Sequence, residues 1–174
     1  MKVAYTMANG RGDTDLVLER LAQSLIATGK RVVGVVQINT ERETCHHCDM
    51  DVKILPDGPV VRISQNLGAA SKGCRLDTNA LESVVVEVGK GLNDEVDILI
   101  LNKFGKHEAD GRGFRDLIAD ALGMGVPVVT GVNDVNRDAF QDFAGGMAEE
   151  VAPNVEALQR WINSPRKPNR QRSA

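Results

Sequence analysis

Aromatic side chains are scarce in this sequence, because Phe, Tyr and Trp together make up only 3% of its 174 residues. Hydrophobic residues nevertheless reach 42%, an ordinary fraction for a globular protein. The core must therefore be built from Val, Ile, Leu and Ala. The length is typical of one domain that buries a real core, and we expect a single α/β domain over residues 1–163.

Cysteine and long apolar runs are also scarce. Three Cys residues, two of them in a C-x-x-C arrangement, fit a reducing compartment better than a disulfide framework. No apolar stretch approaches the roughly 20 residues of a membrane span, and the start, MKVAYTMANG, has too short an apolar run for a signal peptide. The sequence therefore predicts a cytoplasmic protein with no membrane partner.

Excess positive charge is lacking, since 21 Lys and Arg against 24 Asp and Glu leave a net charge of −3. This balance argues against general nucleic-acid binding. The last ten residues, PRKPNRQRSA, hold four cations and no acid, so the rest of the chain has 17 basic against 24 acidic residues. Because this segment is rich in Pro and poor in apolar residues, we predict that residues 164–174 form a basic, disordered tail.

Short apolar runs alternate with amphipathic stretches, a pattern that favours strands and helices in turn. Strands are predicted at residues 2–7, 31–38, 59–65, 96–101 and 125–132, whereas 39–58 shows no clear period. Helices are predicted at 13–28, 78–90, 138–143 and 155–162, with a further one ending at 122. Because a strand, helix and strand in under forty residues form a right-handed parallel unit, we predict a three-layer α/β fold. Its mostly parallel sheet would have about five strands.

Capping residues mark the ends of the first two predicted helices. Asp13 or Thr14 is expected to cap the first helix with its side chain, and Gly29 to close that helix in a left-handed conformation. Asp77 is expected to cap the second helix.

The turn after the first predicted strand matches the phosphate-binding P-loop, G-x-x-x-x-G-K-[ST], only in part. With Gly12 aligned to the second Gly, Thr14 takes the Ser/Thr position. Asp13 then stands where the motif has Lys, and Met7 where it has the first Gly. The Asp reverses the charge that neutralises phosphate, at a cost of roughly a few kcal/mol. We predict a degenerate P-loop in which Arg11, Gly12 and Thr14 hold the ligand without ordinary ATP hydrolysis.

Basic residues crowd the chain after the apolar run Val96–Leu101, which ends at Asn102. Ligands of open α/β sheets bind outside the carboxyl ends of the strands, and Lys and Arg there would attract an oxyanion. The loop after the third predicted strand adds two more cations. If these loops share one rim, the residues that converge on the anion are Lys72, Arg75, Asn102, Lys103, Lys106, Arg112 and Arg115.

Plainer interpretations of the same residues stay open. The basic stretch after Asn102 also fits a solvated loop followed by a helical turn, and Arg75 with Asp77 also fits a structural ion pair. Glu108, beside His107, is the one candidate for a general base. No nucleophile and base are recognisable as a pair.

The segment CHHCDMD offers ligands for a metal ion such as zinc. A closed zinc site needs four ligands, and Cys45, His47, Cys48 and Cys74 are the conceivable set. Redox use of the C-x-x-C pair is a second interpretation. A polar loop that happens to carry Cys and His is the third.

Four runs resemble an uncharacterised bacterial family of unknown function: CDMD-x-x-x-LPDG, ISQNLGAASKGCRLD, LNKFGKHEADGRGFRDLIADAL and GVPVVTGVN. Together they cover most of the chain. Genes of that family often lie near genes of molybdenum transport or of the molybdenum cofactor. The resemblance therefore implies a molybdenum context.

A more distant similarity is to two groups of P-loop proteins. One is a family of nucleoside triphosphatases, and the other is the GTP-binding adapter of molybdopterin-guanine dinucleotide synthesis. This similarity implies a P-loop NTPase-like fold. Both groups carry the P-loop Lys, whereas this sequence has Asp13 there, and it has Asn102 where the later strand usually ends in a Mg²⁺-organising acid.

These observations lead to three hypotheses about function. The first is a binding protein that takes a small anionic ligand, either a Mg-nucleotide or a molybdate-like oxyanion. The second is a nucleoside triphosphatase or phosphotransferase with a rearranged site and Glu108 as base. The third is a metal-binding regulatory module built on Cys45 and Cys48. The sequence leaves a homo-oligomer open.

Overall fold

The computed structural model of the protein describes residues 1–10, 12–38, 50–65 and 76–165. Its strands within these residues are β1 (Val3–Thr6), β2 (Val32–Ile38), β3 (Asp51–Leu55), β4 (Val60–Arg62), β5 (Ile98–Leu101), β6 (Val128–Gly131) and β7 (Glu149–Glu150). Its helices are α1 (Asp13–Ala27), α2 (Thr78–Gly91), α3 (Lys106–Ala109), α4 (Arg115–Gly123), α5 (Asp134–Phe143) and α6 (Val155–Asn163). The seven strands form one sheet in the order β4-β3-β2-β5-β6-β1-β7.

Five of the strands, in the order β2-β5-β6-β1-β7, run parallel to one another. The hairpin of β3 and β4 extends this parallel sheet at one edge by antiparallel pairing. The predicted α/β fold with a mostly parallel sheet is confirmed. The strand count is seven instead of about five.

The two additional strands have sequences that hide them. β3 lies in the stretch 39–58, for which the sequence predicts no period, because its polar residues interrupt the apolar pattern. Polar contacts satisfy its first and its middle residue: Arg62 pairs with Asp51 at 2.9 Å, and the Lys53 ammonium donates to the Gly58 carbonyl at 2.6 Å. β7 consists of two Glu residues and has no apolar signal. The strand predicted at 59–65 is the short β4.

Helices cover both faces of the sheet, which gives the three layers. On one face α1 and α6 bury Leu18, Leu21 and Leu158 against Ala4 and Ile100. On the other face the helices α2, α4 and α5 cover a second apolar cluster that includes Val84, Ile118 and Phe140. Alternate side chains of the central strands supply both clusters, which is why these strands are apolar throughout.

Most of the few aromatic residues meet in that second cluster. The Phe104 ring lies 4.9 Å from Phe140 and 5.7 Å from Phe143, and Tyr5 meets Phe140 edge-on at 5.8 Å. Phe104 is the third residue after β5, in the loop to α3. The cluster therefore anchors this loop, which belongs to the carboxyl edge of the sheet.

The predicted caps are partly confirmed. The Asp77 carboxylate accepts the N–H groups of Asn79 and Ala80 at 3.0 Å, and Gly29 has a φ of 78° after α1. The expectation that Asp13 or Thr14 caps α1 is wrong, because Gly12 is the N-cap residue. Within the described part of the chain, no helix combines the length and apolarity needed to cross a bilayer.

Candidate functional site

The parallel strands β1, β2, β5 and β6 all end at the same edge of the sheet. β4 also ends there, because Ile38 of β2 pairs with Asp51 and Asp51 pairs with Arg62. The loops after five strands therefore leave from one rim. This edge is the usual position of ligands in open α/β sheets.

The turn between β1 and α1 lies on this rim, one strand in from the β7 edge of the sheet. Gly12 has a φ of 82°, a left-handed conformation that favours Gly. The Thr14 hydroxyl accepts the Ala8 N–H at 3.0 Å, and the Asp13 N–H donates to the Gly10 carbonyl at 3.3 Å. The turn therefore wraps around the N-terminus of α1, whose partial positive charge faces the rim.

The Asp13 side chain folds back over this turn. A Cβ atom at position 10 would overlap the Asp13 carboxylate, so Gly10 makes room for it. Asp13 is exposed, and none of the described residues forms a hydrogen bond or ion pair with its carboxylate. A negative charge without a partner thus lies where a phosphate-binding turn carries its Lys.

Asn102, the first residue after β5, joins three segments of the rim. Its side-chain oxygen accepts the Gln37 N–H at 3.0 Å. Its amide nitrogen lies 3.1 Å from an oxygen of Asp15 on α1 and 3.4 Å from the side-chain oxygen of Gln37. Asn102 is buried, and these bonds fix the end of β2 and the first turn of α1 against the end of β5.

Gly131 at the end of β6 permits the close approach of these segments. A Cβ atom there would overlap the Asn102 carbonyl and would lie 2.8 Å from the Thr14 methyl and 3.3 Å from a Leu18 methyl. The sequence pattern predicts no role for Gly131. Its position at the end of a strand that faces a helix is the signal that would have identified it.

Glu108 lies in the short helix α3 and faces inward. Its carboxylate accepts the Gly105 N–H at 2.9 Å and the Phe114 N–H at 3.4 Å. Burial raises the pKa of Glu108 above its ordinary value. Gly113, with a φ of 59°, leaves room for this carboxylate, which a Cβ atom would overlap. The geometry therefore gives Glu108 a structural task in the α3–α4 connection, and its role as a general base stays a prediction.

A second acid, Glu82 on α2, holds the same connection from outside. Its Oε1 accepts the Gly113 N–H at 3.0 Å and lies 3.0 Å from Nε2 of His107. The hydrogen bond with His107 lowers the pKa of Glu82 below its ordinary value, and the charge of Arg112 adds to this effect. Arg112 thus stabilises the charged form of Glu82, on the α2 side of the connection.

The predicted cations differ in their surroundings. Lys103 and Lys106 are exposed, and no described residue forms an ion pair with them. Arg112 lies 3.9 Å from Asp110. Arg115 lies 4.5 Å above the Phe143 ring and donates to the Glu108 carbonyl at 3.3 Å. Lys103, directly after Asn102, is the cation that the structure places next to the rim residues already described.

Several predicted site residues lie outside the described residues. These are Arg11, Lys72, Arg75 and the conceivable metal ligands Cys45, His47, Cys48 and Cys74. Ser64, just after β4, forms a β-bridge with Leu76. Among the described residues, no group of three or more His, Cys, Asp or Glu side chains is arranged to hold a metal ion.

A hollow of about 600 Å³ adjoins the turn after β1. Residues 7–10 form one wall and side chains of α1 form another, including Asp13 and Arg20. Pro153, between β7 and α6, closes the third side. The hollow is open to solvent and has both polar and apolar walls.

The sequence matches a family model and is similar to a curated relative. The model, described as a protein of unknown function (DUF2478), matches residues 3–161. The molybdenum import ATP-binding protein ModC 2 of Bradyrhizobium diazoefficiens is 32% identical over 160 residues, which are 92% of this chain. The chain spans only 18% of the length of that relative.

Two solved structures resemble the fold closely. The crystal structure of THEP1 from the hyperthermophile Aquifex aeolicus has a TM-score of 0.67 and 18% sequence identity, over 94% of this chain and 100% of that one. The solution structure of a human cancer-related nucleoside triphosphatase has a TM-score of 0.69 and 15% identity, over 96% and 100% of the two chains. At these identities the similarity establishes the fold, and it confirms the predicted P-loop NTPase-like architecture.

Proposed function

The chain belongs to the DUF2478 family of proteins of unknown function, and from this premise we propose that it binds a small anionic ligand at the carboxyl edge of its sheet. The ligand is a nucleotide or a molybdate-like oxyanion. The binding residues are the N-terminus of α1 with Gly12 and Thr14, together with Lys103. Ordinary ATP hydrolysis is not part of this function.

The observation that carries the proposal is the left-handed Gly12 turn that presents the N-terminus of α1 at the rim. Backbone N–H groups and the helix dipole at such a position favour anions. The chain keeps this turn within a P-loop NTPase-like fold. Lys103 supplies a cation at the end of β5, two strands away from β1 in the sheet.

Two differences from the P-loop proteins support binding without the usual hydrolysis. Asp13 replaces the cation that neutralises the phosphates in the transition state. The Asn102 oxygen already accepts the Gln37 N–H, and an amide carries no charge to balance Mg²⁺. The donor set at the end of β5 therefore fits a Mg²⁺-triphosphate poorly, and we assign no step to the metal ion.

A molybdenum context is supported by the relative from Bradyrhizobium diazoefficiens, whose name describes a molybdenum import ATP-binding protein. A segment similar to this chain makes up a small part of that protein. We propose that the present chain serves the same metabolism. Molybdate is then the oxyanion to be tested beside nucleotides.

A thermal-shift screen with nucleotides, molybdate, tungstate and sulfate tests the proposal. A ligand at about 100 times its dissociation constant should stabilise the native state by roughly 2.7 kcal/mol. Lys103→Ala should reduce the shift, whereas Lys90→Ala on the surface of α2 is the matched control. The proposal fails if no ligand stabilises the protein at millimolar concentration.

A phosphate-release assay with the same protein separates binding from the alternative hypothesis. A phosphotransferase that uses Glu108 as base would release phosphate from a nucleotide with Mg²⁺. We expect no release above the background of a denatured sample. Release that Glu108→Gln abolishes, in a variant that still folds, would favour the enzyme.

A further inference from the structure

The hollow beside the turn after β1 has a wall that a bare oxyanion does not need. Leu16 and Val17 of α1, Met7 and Pro153 line it together with polar groups. Leu16 is 43% exposed, although a large apolar side chain in the first turns of a helix would usually pack inward. At about 600 Å³, the hollow lies within the range of small-molecule sites, roughly 300–1,000 Å³.

The charged groups of this hollow also differ from those of an oxyanion site. Asp13 and Arg20 both line it, and both are exposed. Within the described residues neither side chain has an ion-pair partner. A carboxylate repels an oxyanion but accepts hydrogen bonds from ring N–H, amino and hydroxyl groups. A guanidinium group stacks on planar rings.

We infer that this hollow binds the nucleoside part of a nucleotide, with Asp13 accepting hydrogen bonds from its ribose hydroxyls or base N–H groups. The inference rests on the proposed function and selects the nucleotide from its two ligand classes. The base contacts Leu16, Val17 and Pro153. Arg20 also lines the hollow. The phosphate lies on the other side of the turn, towards Thr14 and Lys103.

Calorimetric titration of the full chain with adenosine and guanosine, with their monophosphates, and separately with molybdate tests this assignment. We expect both nucleosides to bind without any phosphate. Leu16→Gln should weaken nucleoside binding about fivefold, because apolar contact area is lost without a change of charge. Val135→Gln, at an exposed apolar residue in the first turn of α5, is the matched control and should change nothing.

Asp13→Asn gives a signature that a merely structural effect would not produce. It should weaken the binding of nucleosides about tenfold, because a charged acceptor is lost. The same variant should bind molybdate at least as tightly as the wild type, because a repulsive charge is removed. Opposite signs for the two ligands in one variant exclude partial unfolding as the cause.

The possible results separate this inference from the proposed function. If molybdate or nucleotides bind and nucleosides do not, the inference falls and the proposed function stands. Nucleoside binding that Leu16→Gln and Asp13→Asn leave unchanged would also overturn the inference, because the site would lie elsewhere. If no compound of either class binds, both proposals fall.

Discussion

At the scale of residues, the character of the rim depends on two side chains. Asp13 puts a negative charge over the turn after β1, and Asn102 puts a neutral amide at the end of β5. The resemblance to P-loop proteins implies a Lys at the first of these positions in proteins that hydrolyse nucleotides. At the second position it implies an acidic residue that organises Mg²⁺. Asp13 begins α1 and Asn102 directly follows β5, so the charge at each position can be changed by a single substitution.

Asp13→Lys should tighten the binding of a nucleoside triphosphate by about tenfold or more, because the gain in attraction for the phosphates exceeds the loss of the hydrogen-bond acceptor proposed for the nucleoside. The substitution changes the charge beside the ligand by two units, which is worth roughly a few kcal/mol at a surface-like dielectric. Equilibrium dialysis with a labelled triphosphate measures the effect. Asp134→Lys makes the same change in the first turn of α5 and should have little influence; an equal gain there would point to net charge alone.

Glu108 should make the stability of the protein depend on pH. Because burial raises its pKa in the native state, the native state binds more protons than the unfolded chain between the two pKa values. The free energy of unfolding should therefore fall as pH rises through this window from the ordinary glutamate pKa, and should level off above it.

Urea unfolding of the wild type and of Glu108→Gln between about pH 4 and 8 measures this contribution. The variant loses an acceptor for a buried N–H group, so it should be less stable by about 1–3 kcal/mol. The advantage of the wild type should shrink as pH rises, because only the wild type has the titrating group. Glu87→Gln, at an exposed acid of α2, is the control, and parallel pH curves for all three proteins would refute the prediction.

At the scale of elements, the rim is formed by the close contact of α1 with the ends of β5 and β6. Gly131 permits this contact, and Asn102 ties it to β2 and to α1. Neither feature is a property of one element alone. The position of α1 at the rim therefore depends on two residues that lie outside α1.

Gly131→Ala should destabilise the protein by about 1–3 kcal/mol, because the new methyl group would overlap the Asn102 carbonyl and force α1 to move. Ligand binding at the rim should weaken in the same variant. Gly123→Ala is the matched control, since a Cβ atom at this last residue of α4 has nothing within 4 Å. Thermal unfolding of both variants measures the difference, and equal stability would count against a close contact at Gly131.

The elements that could be predicted from sequence are those with a continuous apolar signal. β2, predicted at 31–38, is Val32–Ile38, and α2 begins as predicted after its Asp77 cap. β3 escaped prediction because Asp51 and Lys53 are made compatible with a strand by partners elsewhere in the chain. The sequence predicts that Arg115 binds the anion, but Arg115 lies over the Phe143 ring. The sequence could not predict this contact either, because no local pattern reveals a contact between α4 and α5.

At the scale of the whole molecule, the two ends of the described chain are joined. The Lys2 ammonium donates to the carbonyls of Ile162 and Ser164 at 2.7 and 2.6 Å and lies 5.1 Å from the centre of the Trp161 ring. Lys2 is buried. It therefore fixes the C-terminal end of α6 against the start of β1.

Lys2→Met should destabilise the protein by about 1–3 kcal/mol, because two partly buried carbonyl groups lose the donor of a buried ammonium group. Since Trp161 is the only Trp, its fluorescence reports directly on α6 and should shift towards that of an exposed indole. Lys30→Met removes a surface cation that pairs with Asp97 at 3.3 Å, and should change stability by less than about 1 kcal/mol. Identical spectra and stabilities for the two variants would show that the ends of the chain are not coupled.

The hairpin of β3 and β4 starts and ends at the carboxyl edge of the sheet. Asp51 begins β3 and pairs with Ile38, the last residue of β2, and Arg62 ends β4 and pairs with Asp51. The bidentate ion pair of Arg62 with Asp51 holds the start and the end of the hairpin together. Both ends of the hairpin therefore stay at the carboxyl edge of the sheet, the edge at which the ligand is expected, with β2, β5 and β6 between them and the turn after β1.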